Sequence, residues 1–168
     1  PNYTSSNYPY PIDMPYVPDI NPMGVYMREF EVKDTDNCHY IVFEGVSSNI
    51  ELYINDAYVG YSQGSHLQAE FDITDFVKFG DEKNILAVYV TTDSHEGWWY
   101  EGGGIYRHVW LFKTDKVAVD LWGVYVAPKK IDEETWNVKI ETEIVNDRYE
   151  PIIAEVITTI YDPDSKKV

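Results

Sequence analysis

Alternation of apolar and polar residues is the feature of this sequence that most restricts its fold. In Asn49–Ile54 every second side chain is aliphatic, and Glu51 and Tyr53 lie between them. Successive side chains of an extended strand point to opposite faces, so the aliphatic residues share one face. Similar short runs occupy residues 25–32, 39–43, 84–91 and 105–112. This repeat of two predicts an all-β fold of antiparallel sheets, each with one packed and one wetter face, as in a β-sandwich.

Turn-forming residues separate these runs. Asn55 and Asp56 stand before the run at residues 58–61. Both residue types tolerate the left-handed backbone conformation that a two-residue hairpin turn requires, so we predict a β-hairpin here. A short helical turn is predicted at residues 74–79, with Thr74 as its N-cap. Residues 1–22 are rich in Pro, Tyr, Asn and Ser, a composition that predicts extended coil.

A second group of alternating runs follows Asp115. The runs occupy residues 117–126, 136–145 and 152–161, and a turn is predicted at residues 162–165. Three strands are too few to close a sandwich of roughly seven. We therefore interpret residues 116–168 as a partial immunoglobulin-like β-sandwich, truncated at its C terminus, and residues 1–115 as a separate first domain.

The charge of the chain excludes two classes of partner. Thirteen Lys and Arg stand against twenty-nine Asp and Glu, which gives a net charge of −16. Such a field repels a phosphate backbone or an anionic membrane unless a local basic cluster attracts it. The densest basic pairs, Lys129-Lys130 and Lys166-Lys167, each lie near acidic residues. Neither nucleic acid nor a membrane is expected as a partner.

Cysteine and histidine usage argues against a metal site. Cys38 is the only cysteine, so the chain forms no internal disulfide and no thiolate cage. His39, His66, His95 and His108 lack the spacing of metal ligands, and no cofactor is expected in this chain. No apolar stretch is long enough to span a bilayer, and the first residues lack the features of a signal peptide. A reducing, cytoplasmic location fits these features.

Four blocks of residues, in order, carry a family resemblance. They are Tyr3-Thr4 with Tyr8-Pro9 and Asn21-Pro22-Met23-Gly24-Val25-Tyr26; Phe43-Glu44-Gly45-Val46-Ser47-Ser48 with Leu52-Tyr53-Ile54-Asn55; Val59-Gly60-Tyr61-Ser62-Gln63-Gly64-Ser65 with Glu70-Phe71-Asp72-Ile73; and Gly103-Gly104-Ile105-Tyr106-Arg107 with Val109-Trp110-Leu111. Together they resemble the N-terminal sugar-binding domain of family 2 glycoside hydrolases of the β-galactosidase type. Several ordered blocks are a much more specific signal than any one motif.

The resemblance implies a jelly-roll, galactose-binding-like β-sandwich at residues 1–115, without the strands that precede this segment in the family. It also implies a parent enzyme that is a retaining β-galactosidase, with both catalytic carboxylates in a barrel beyond residue 168. Because retaining glycosidases need two carboxylates about 5 Å apart, the chain alone is expected to be inactive. Any divalent cation of the parent is expected outside this chain. The implied partners are the other domains of the parent and a β-linked saccharide, and a second copy of the chain stays an open alternative.

The resemblance also indicates where sugar contacts lie. In the family, an Asn of the N-terminal segment and an Asp of the loop before Gly103 reach the sugar. Ser5, with Asn7 two residues on, stands at the first position here, and Trp98 stands at the second. Trp98, Trp99 and Glu101 share this glycine-rich loop, and aromatic rings with carboxylates suit a saccharide. The alternative, that the loop fills a contact with a neighbouring domain, stays open.

Other residues of the blocks have structural interpretations. Three aromatic side chains are predicted to lie in the core: Phe43, Phe71 and Trp110. Arg107 lies on the otherwise apolar run at residues 105–112 and is predicted to pair with an acidic residue such as Glu70 or Asp72, or to reach a ligand hydroxyl.

Three functions are compatible with the sequence. The first is an accessory region of a glycosidase that supports the barrel and forms one wall of the sugar pocket. The second is an autonomous carbohydrate-binding module that uses the aromatic loop, and the third is a structural or oligomer-forming domain. The first is preferred over the second because a wall that another domain completes binds sugar weakly by itself.

Overall fold

The computed structural model describes residues 23–34, 37–92 and 103–167. The chain divides into two compact units, residues 1–115 and residues 116–168. Strands dominate the described part of both units, which confirms the all-β prediction. In the first unit they are β1 (Gly24–Glu31), β2 (Asn37–Phe43), β3 (Val46–Ser47), β4 (Asn49–Ile54), β5 (Ala57–Gln63), β6 (Ala69–Asp72), β7 (Lys83–Thr91), β8 (Gly104–Ile105) and β9 (Val109–Asp115).

The first unit is a sandwich of antiparallel sheets. One sheet has the order β1-β7-β4-β5, another has the order β6-β2-β9, and β3 and β8 form a short ribbon. Buried residues from both larger sheets form one core cluster. Gly60 of β5 lies against the ring of Phe71 of β6, where an added Cβ would meet the ring at 3.4 Å. The sheets therefore pack face to face, as the jelly-roll expectation requires.

The alternating pattern decides which face of each strand enters the core. On β4, Ile50, Leu52 and Ile54 are buried, whereas Glu51 is exposed and Tyr53 is half-buried. The apolar side chains gain by leaving water, at about 25 cal/mol per Å² of buried apolar surface. The predicted orientation of this strand is confirmed.

The hairpin between β4 and β5 turns at Asn55 and Asp56. Their φ angles are 52° and 66°, which is the left-handed region that a two-residue hairpin turn needs. The turn is also held from outside, because the Asn55 side chain donates to the carbonyl of Phe76 at 3.0 Å and accepts from the N–H of Ile85 at 3.0 Å. The predicted hairpin is confirmed, and its register is locked to other elements of the unit.

Two predictions of secondary structure in the first unit differ from the structure. The run at residues 105–112 is broken, because Tyr106, Arg107 and His108 lie in the connection between β8 and β9. The helical turn is a 3-10 helix that covers only Thr74–Phe76, and Thr74 does not cap it. The hydroxyl of Thr74 instead accepts a hydrogen bond from the backbone N–H of His39 at 2.9 Å, since β2 passes beside Thr74.

The second unit contains one long antiparallel ribbon. Its strands are β10 (Val117–Lys130) and β11 (Trp136–Asn146), paired with a bulge between Val119 and Val124 where Trp122 has a φ of 66°. The turn between them is closed by Asp132, whose carboxylate accepts the N–H groups of Glu134 and Thr135. These bonds, first the one from Glu134, hold the pKa of Asp132 below its ordinary value. The predicted turn at residues 162–165 is also present.

The third strand predicted for this unit is wrong. Residues 151–160 have no regular secondary structure, and Ile153 and Ile157 are exposed. Alternation alone does not make a strand, because the backbone N–H and C=O groups need a paired neighbour, and the described residues provide none for this segment. Within the described ranges, no helix is long and apolar enough to cross a membrane.

His39 is a buried polar residue of the first unit, with 2% of its surface exposed. Its Nδ1 atom has no hydrogen-bond partner among the described residues. Burial lowers the pKa of His39, because the imidazolium form loses its hydration. The charge of Lys113 lowers this pKa further. A backbone hydrogen bond with Asn37 and the carboxylates of Asp34 and Asp72 raise it, but burial is the largest effect. Burial therefore favours the neutral imidazole.

We expect the free energy of unfolding to fall as the pH drops below about 6.5. The unfolded chain takes up a proton at His39 before the folded chain does, so this contribution is complete above the unfolded-state pKa and is lost as the pH falls through the lowered folded-state pKa. Urea unfolding at neutral pH and at about pH 5.5 measures the difference. His39→Gln should reduce it, whereas the exposed control His66→Gln should not. The same pH dependence in His39→Gln and the wild type would contradict this assignment.

Candidate functional site

The five predicted substrate-binding residues, Ser5, Asn7, Trp98, Trp99 and Glu101, lie outside the described residues, and their roles stay predictions. The described chain resumes at residue 103, soon after three of them in the sequence. Four of the residues that follow, together with Glu44 from the end of β2, form a group of polar and aromatic side chains.

These side chains are Glu44, Tyr106, Arg107, His108 and Trp110, which we call the rim cluster. Glu44 directly follows β2, Trp110 is the second residue of β9, and the other three lie between β8 and β9. The N–H of Glu44 donates to the carbonyl of His108 at 3.1 Å. Antiparallel pairing of β2 with β9 continues up to this point, so the register of the sheet places Glu44 beside the start of β9.

Tyr106 is fixed by a close approach to Gly45. A Cβ added at Gly45 would lie 2.6 Å from Cζ of Tyr106, so a larger residue at this position would force the ring to move. The N–H of Tyr106 donates to the carbonyl of Gly45 at 3.3 Å, and its hydroxyl donates to the carbonyl of Ser65 at 2.5 Å. The connection between β8 and β9 is therefore held by hydrogen bonds from both the backbone and the side chain of Tyr106.

Glu44, His108 and Trp110 form the most ordered part of the rim cluster. The indole Nε1–H of Trp110 donates to Oε1 of Glu44 at 2.8 Å, and Nδ1 of His108 lies 3.4 Å from Oε2. The imidazole stacks on the indole, with ring centroids 5.5 Å apart and an angle of 23° between the ring planes. Each side chain thus orients the other two.

The cluster is charged and accessible. The hydrogen bond from Trp110 holds the pKa of Glu44 below its ordinary value, and His108 and Arg107 act in the same direction. Arg107 places its guanidinium 5.7 Å from the ring centroid of Tyr106. Trp110 keeps 48% of its surface exposed. An oriented, ionised carboxylate therefore stands beside exposed aromatic surface.

The side chains of this arrangement offer several kinds of contact. The carboxylate accepts hydrogen bonds, the aromatic rings offer apolar faces, and the guanidinium and phenol add polar groups. Among the described residues, no group of three or more His, Cys, Asp or Glu is placed to hold a metal ion.

Comparison with known proteins identifies the family. The sequence model described as "Glycosyl hydrolases family 2, sugar binding domain" matches residues 1–115. The chain belongs to glycoside hydrolase family 2. The resemblance of the four sequence blocks is confirmed.

Relatives of this family 2 chain are glycosidases of much greater length. The chain is 36% identical to a β-galactosidase of Kluyveromyces lactis over 179 residues, which covers 100% of the chain and 17% of that protein. A solved family 2 structure from Bacteroides cellulosilyticus has a TM-score of 0.75 at 27% identity, over 87% of the chain and 20% of that structure. A family 2 β-glucuronidase structure has a TM-score of 0.76 at 27% identity, over 92% of the chain and 18% of that structure. The chain thus spans a fifth or less of each of these three proteins.

An apolar groove of about 480 Å³ opens on the first unit of this family 2 chain. Its lining includes the core residues Phe43 and Val88 and the exposed residues Met27, Trp110 and Leu111. In the described part of the chain, β1 and β9, which contribute to its lining, lie at the ends of their sheets. Large exposed apolar surfaces of this kind mark contacts with other surfaces.

Sequence reasoning missed the rim cluster. Trp110 was predicted in the core, but almost half of it is exposed because β9 lies at the end of its sheet in the described residues. Arg107 is exposed and lies over Tyr106, and the acidic residue on which it acts is Glu44, whereas Glu70 and Asp72 were the predicted examples. The alternative, that Arg107 reaches a ligand hydroxyl, stays a prediction. The polar run from Tyr106 to His108, which interrupts the alternation, was the available signal. No local pattern indicates that Glu44 lies beside it, because 66 residues separate Glu44 from Trp110.

Proposed function

We propose that this chain is a non-catalytic N-terminal region of a retaining β-galactosidase-type glycoside hydrolase, which supports the catalytic barrel and forms part of the wall of the sugar pocket. The match of the family 2 sugar-binding domain to residues 1–115 carries this proposal. The K. lactis relative, a β-galactosidase, supports the choice of substrate. The apolar groove supports a packing role, because such a surface is stabilised by contact with another part of a protein.

Catalysis is assigned to residues outside this chain. A retaining mechanism needs an acid/base carboxyl and a nucleophilic carboxylate about 5 Å apart. We propose that both belong to the barrel of the parent enzyme, as does the site of any divalent cation. We also propose a cytoplasmic location for the parent, for which the single cysteine is the only support.

The rim cluster favours a second candidate, an autonomous carbohydrate-binding module. Exposed Trp110 and the ionised carboxylate of Glu44 are the kind of groups that such modules present. We rank it second because a chain that covers 17% of its relative is more simply one part of a larger pocket. A purely structural role is the third candidate, supported by the same groove.

The expected result is that the 168-residue chain does not hydrolyse chromogenic β-galactosides or β-glucuronides, whereas the polypeptide extended to its natural termini hydrolyses one of them. The physical reason is the need for two carboxylates at a fixed separation. Steady-state rates of both proteins with both substrates are the measurement. Turnover by the 168-residue chain alone would place a catalytic pair within it and contradict the proposal.

A further inference from the structure

We propose that Glu44, His108 and Trp110 bind a neutral β-linked saccharide. This inference rests on the proposed function, since it assigns to these residues one part of the sugar-pocket wall. It concerns residues other than the five predicted from the sequence, and it depends on three properties of the rim cluster.

The first property is that the indole of Trp110 exposes apolar ring surface in a fixed orientation. Its only polar atom already donates to Glu44, so what remains exposed is apolar ring surface. The C–H face of a pyranose ring is apolar and stacks on such a surface. The stack with His108 fixes the ring beforehand, so binding costs little side-chain entropy.

The second property is the spare hydrogen-bonding capacity of Glu44. An ionised carboxylate offers about four lone-pair positions. One oxygen accepts from Trp110 and the other lies near His108, which leaves lone pairs for sugar hydroxyls. Hydroxyl groups that donate to a charged acceptor form the stronger class of hydrogen bond. A ring that stacks on Trp110 thus lies within reach of an acceptor fixed to that indole.

The third property is charge, which favours a neutral ligand. The carboxylate of Glu44 stands in the cluster, and the whole chain carries a net charge of −16. A sugar with its own carboxylate, such as a uronic acid, meets repulsion from both. The guanidinium of Arg107 also belongs to the cluster, and it lies over Tyr106. A neutral galactoside is therefore preferred over a glucuronide.

The rival explanation is that another protein surface covers the cluster. Trp110 also borders the apolar groove, so a polypeptide that filled the groove would reach it. We favour the saccharide because a protein cover would remove solvent from Glu44 without giving its carboxylate a new hydrogen-bond donor, unless the covering surface supplied one. The experiment separates the two.

NMR titration of the 168-residue chain with methyl β-D-galactoside and methyl β-D-glucuronide tests the proposal. The indole N–H signal of Trp110 should shift, and the galactoside should bind more tightly. Trp110→Ala and Glu44→Gln should each weaken binding about tenfold, while Trp110→Phe should retain part of it. Matched controls are Trp136→Ala, which removes another exposed indole, and Glu51→Gln, whose carboxylate accepts from Tyr53. Neither control should alter binding, and the dispersion of the remaining signals reports folding.

The extended polypeptide supplies the second arm. Glu44→Gln and Trp110→Ala should raise KM for a β-galactoside more than they lower kcat. Unchanged KM and unchanged sugar-induced shifts in both variants would overturn the saccharide proposal, even if the extended protein is an active glycosidase. Protection of Trp110 from a fluorescence quencher in the sugar-free extended protein would also overturn it, in favour of a protein cover. If the extended protein has no glycosidase activity but the sugar-induced shifts at Trp110 are observed, the proposed function is wrong and the saccharide proposal stands.

Discussion

Replacement of Asn84 by Ala is expected to lower the free energy of unfolding of the first unit by about 3–4 kcal/mol. Asn84 is fully buried. Its Oδ1 accepts from the N–H of Lys78 at 2.7 Å and from Nδ2 of Asn55 at 2.8 Å, and its Nδ2 donates to the carbonyl of Lys78 at 2.8 Å. One side chain thus joins β7 to the segment after the 3-10 helix and to the hairpin turn.

The large effect arises because Ala leaves these partners without a bond. Buried polar groups that lose their partners each cost about 1–3 kcal/mol, more than the bond itself contributes. Urea unfolding followed by near-ultraviolet circular dichroism gives the difference. Asn84→Asp keeps the size and the acceptor but turns a donor towards the Lys78 carbonyl into an acceptor, so it should also destabilise the unit. Exposed Asn137→Ala is the control. A loss below about 1 kcal/mol in Asn84→Ala would show that water replaces the lost bonds.

Leu52→Ala is expected to cost about 3 kcal/mol, the second large effect. Leu52 is fully buried on β4, and its strand is paired on both sides, with β5 and with β7. Removal of its branched end takes away buried apolar surface and leaves a cavity that the surrounding sheets fill only in part.

The control for Leu52 is its neighbour on the same strand. Glu51 faces solvent, so Glu51→Ala should change the free energy of unfolding by about 0.5 kcal/mol or less. The denaturant midpoints of the two variants, at equal slope, make the comparison. Equal losses in Leu52→Ala and Glu51→Ala would mean that the strand does not present its two faces differently.

The burial of Leu52 could be predicted from the sequence, whereas the burial of Asn84 could not. Burial of Leu52 is predicted from the sequence, because alternation is a local property of the chain and a strand has only two faces. Burial of Asn84 is not predicted, since a polar residue at the start of a strand is ordinarily exposed. Its partner Asn55 lies 29 residues away, and only the pairing of β4 with β7 brings them together.

The sequence likewise predicted the family of the candidate site but not all of its residues. The four ordered blocks identify the family from the sequence, because each is a motif within a short stretch and several in order are a specific signal. The predicted sugar contacts at Ser5, Asn7, Trp98, Trp99 and Glu101 stay predictions, since they lie outside the described residues. The rim cluster was not predicted, because its contacts join the end of β2 to the start of β9.

The sequence by itself determined the class of fold, the faces of the strands, the hairpin at Asn55-Asp56 and the family. These follow from periodicity and turn chemistry within a few residues. Tertiary structure alone decided the break at residues 106–108, the exposure of Trp110 and the lack of a strand at residues 151–160. Each of these depends on which distant segment lies beside a given backbone, and the chain acquires that neighbour only when its sheets assemble.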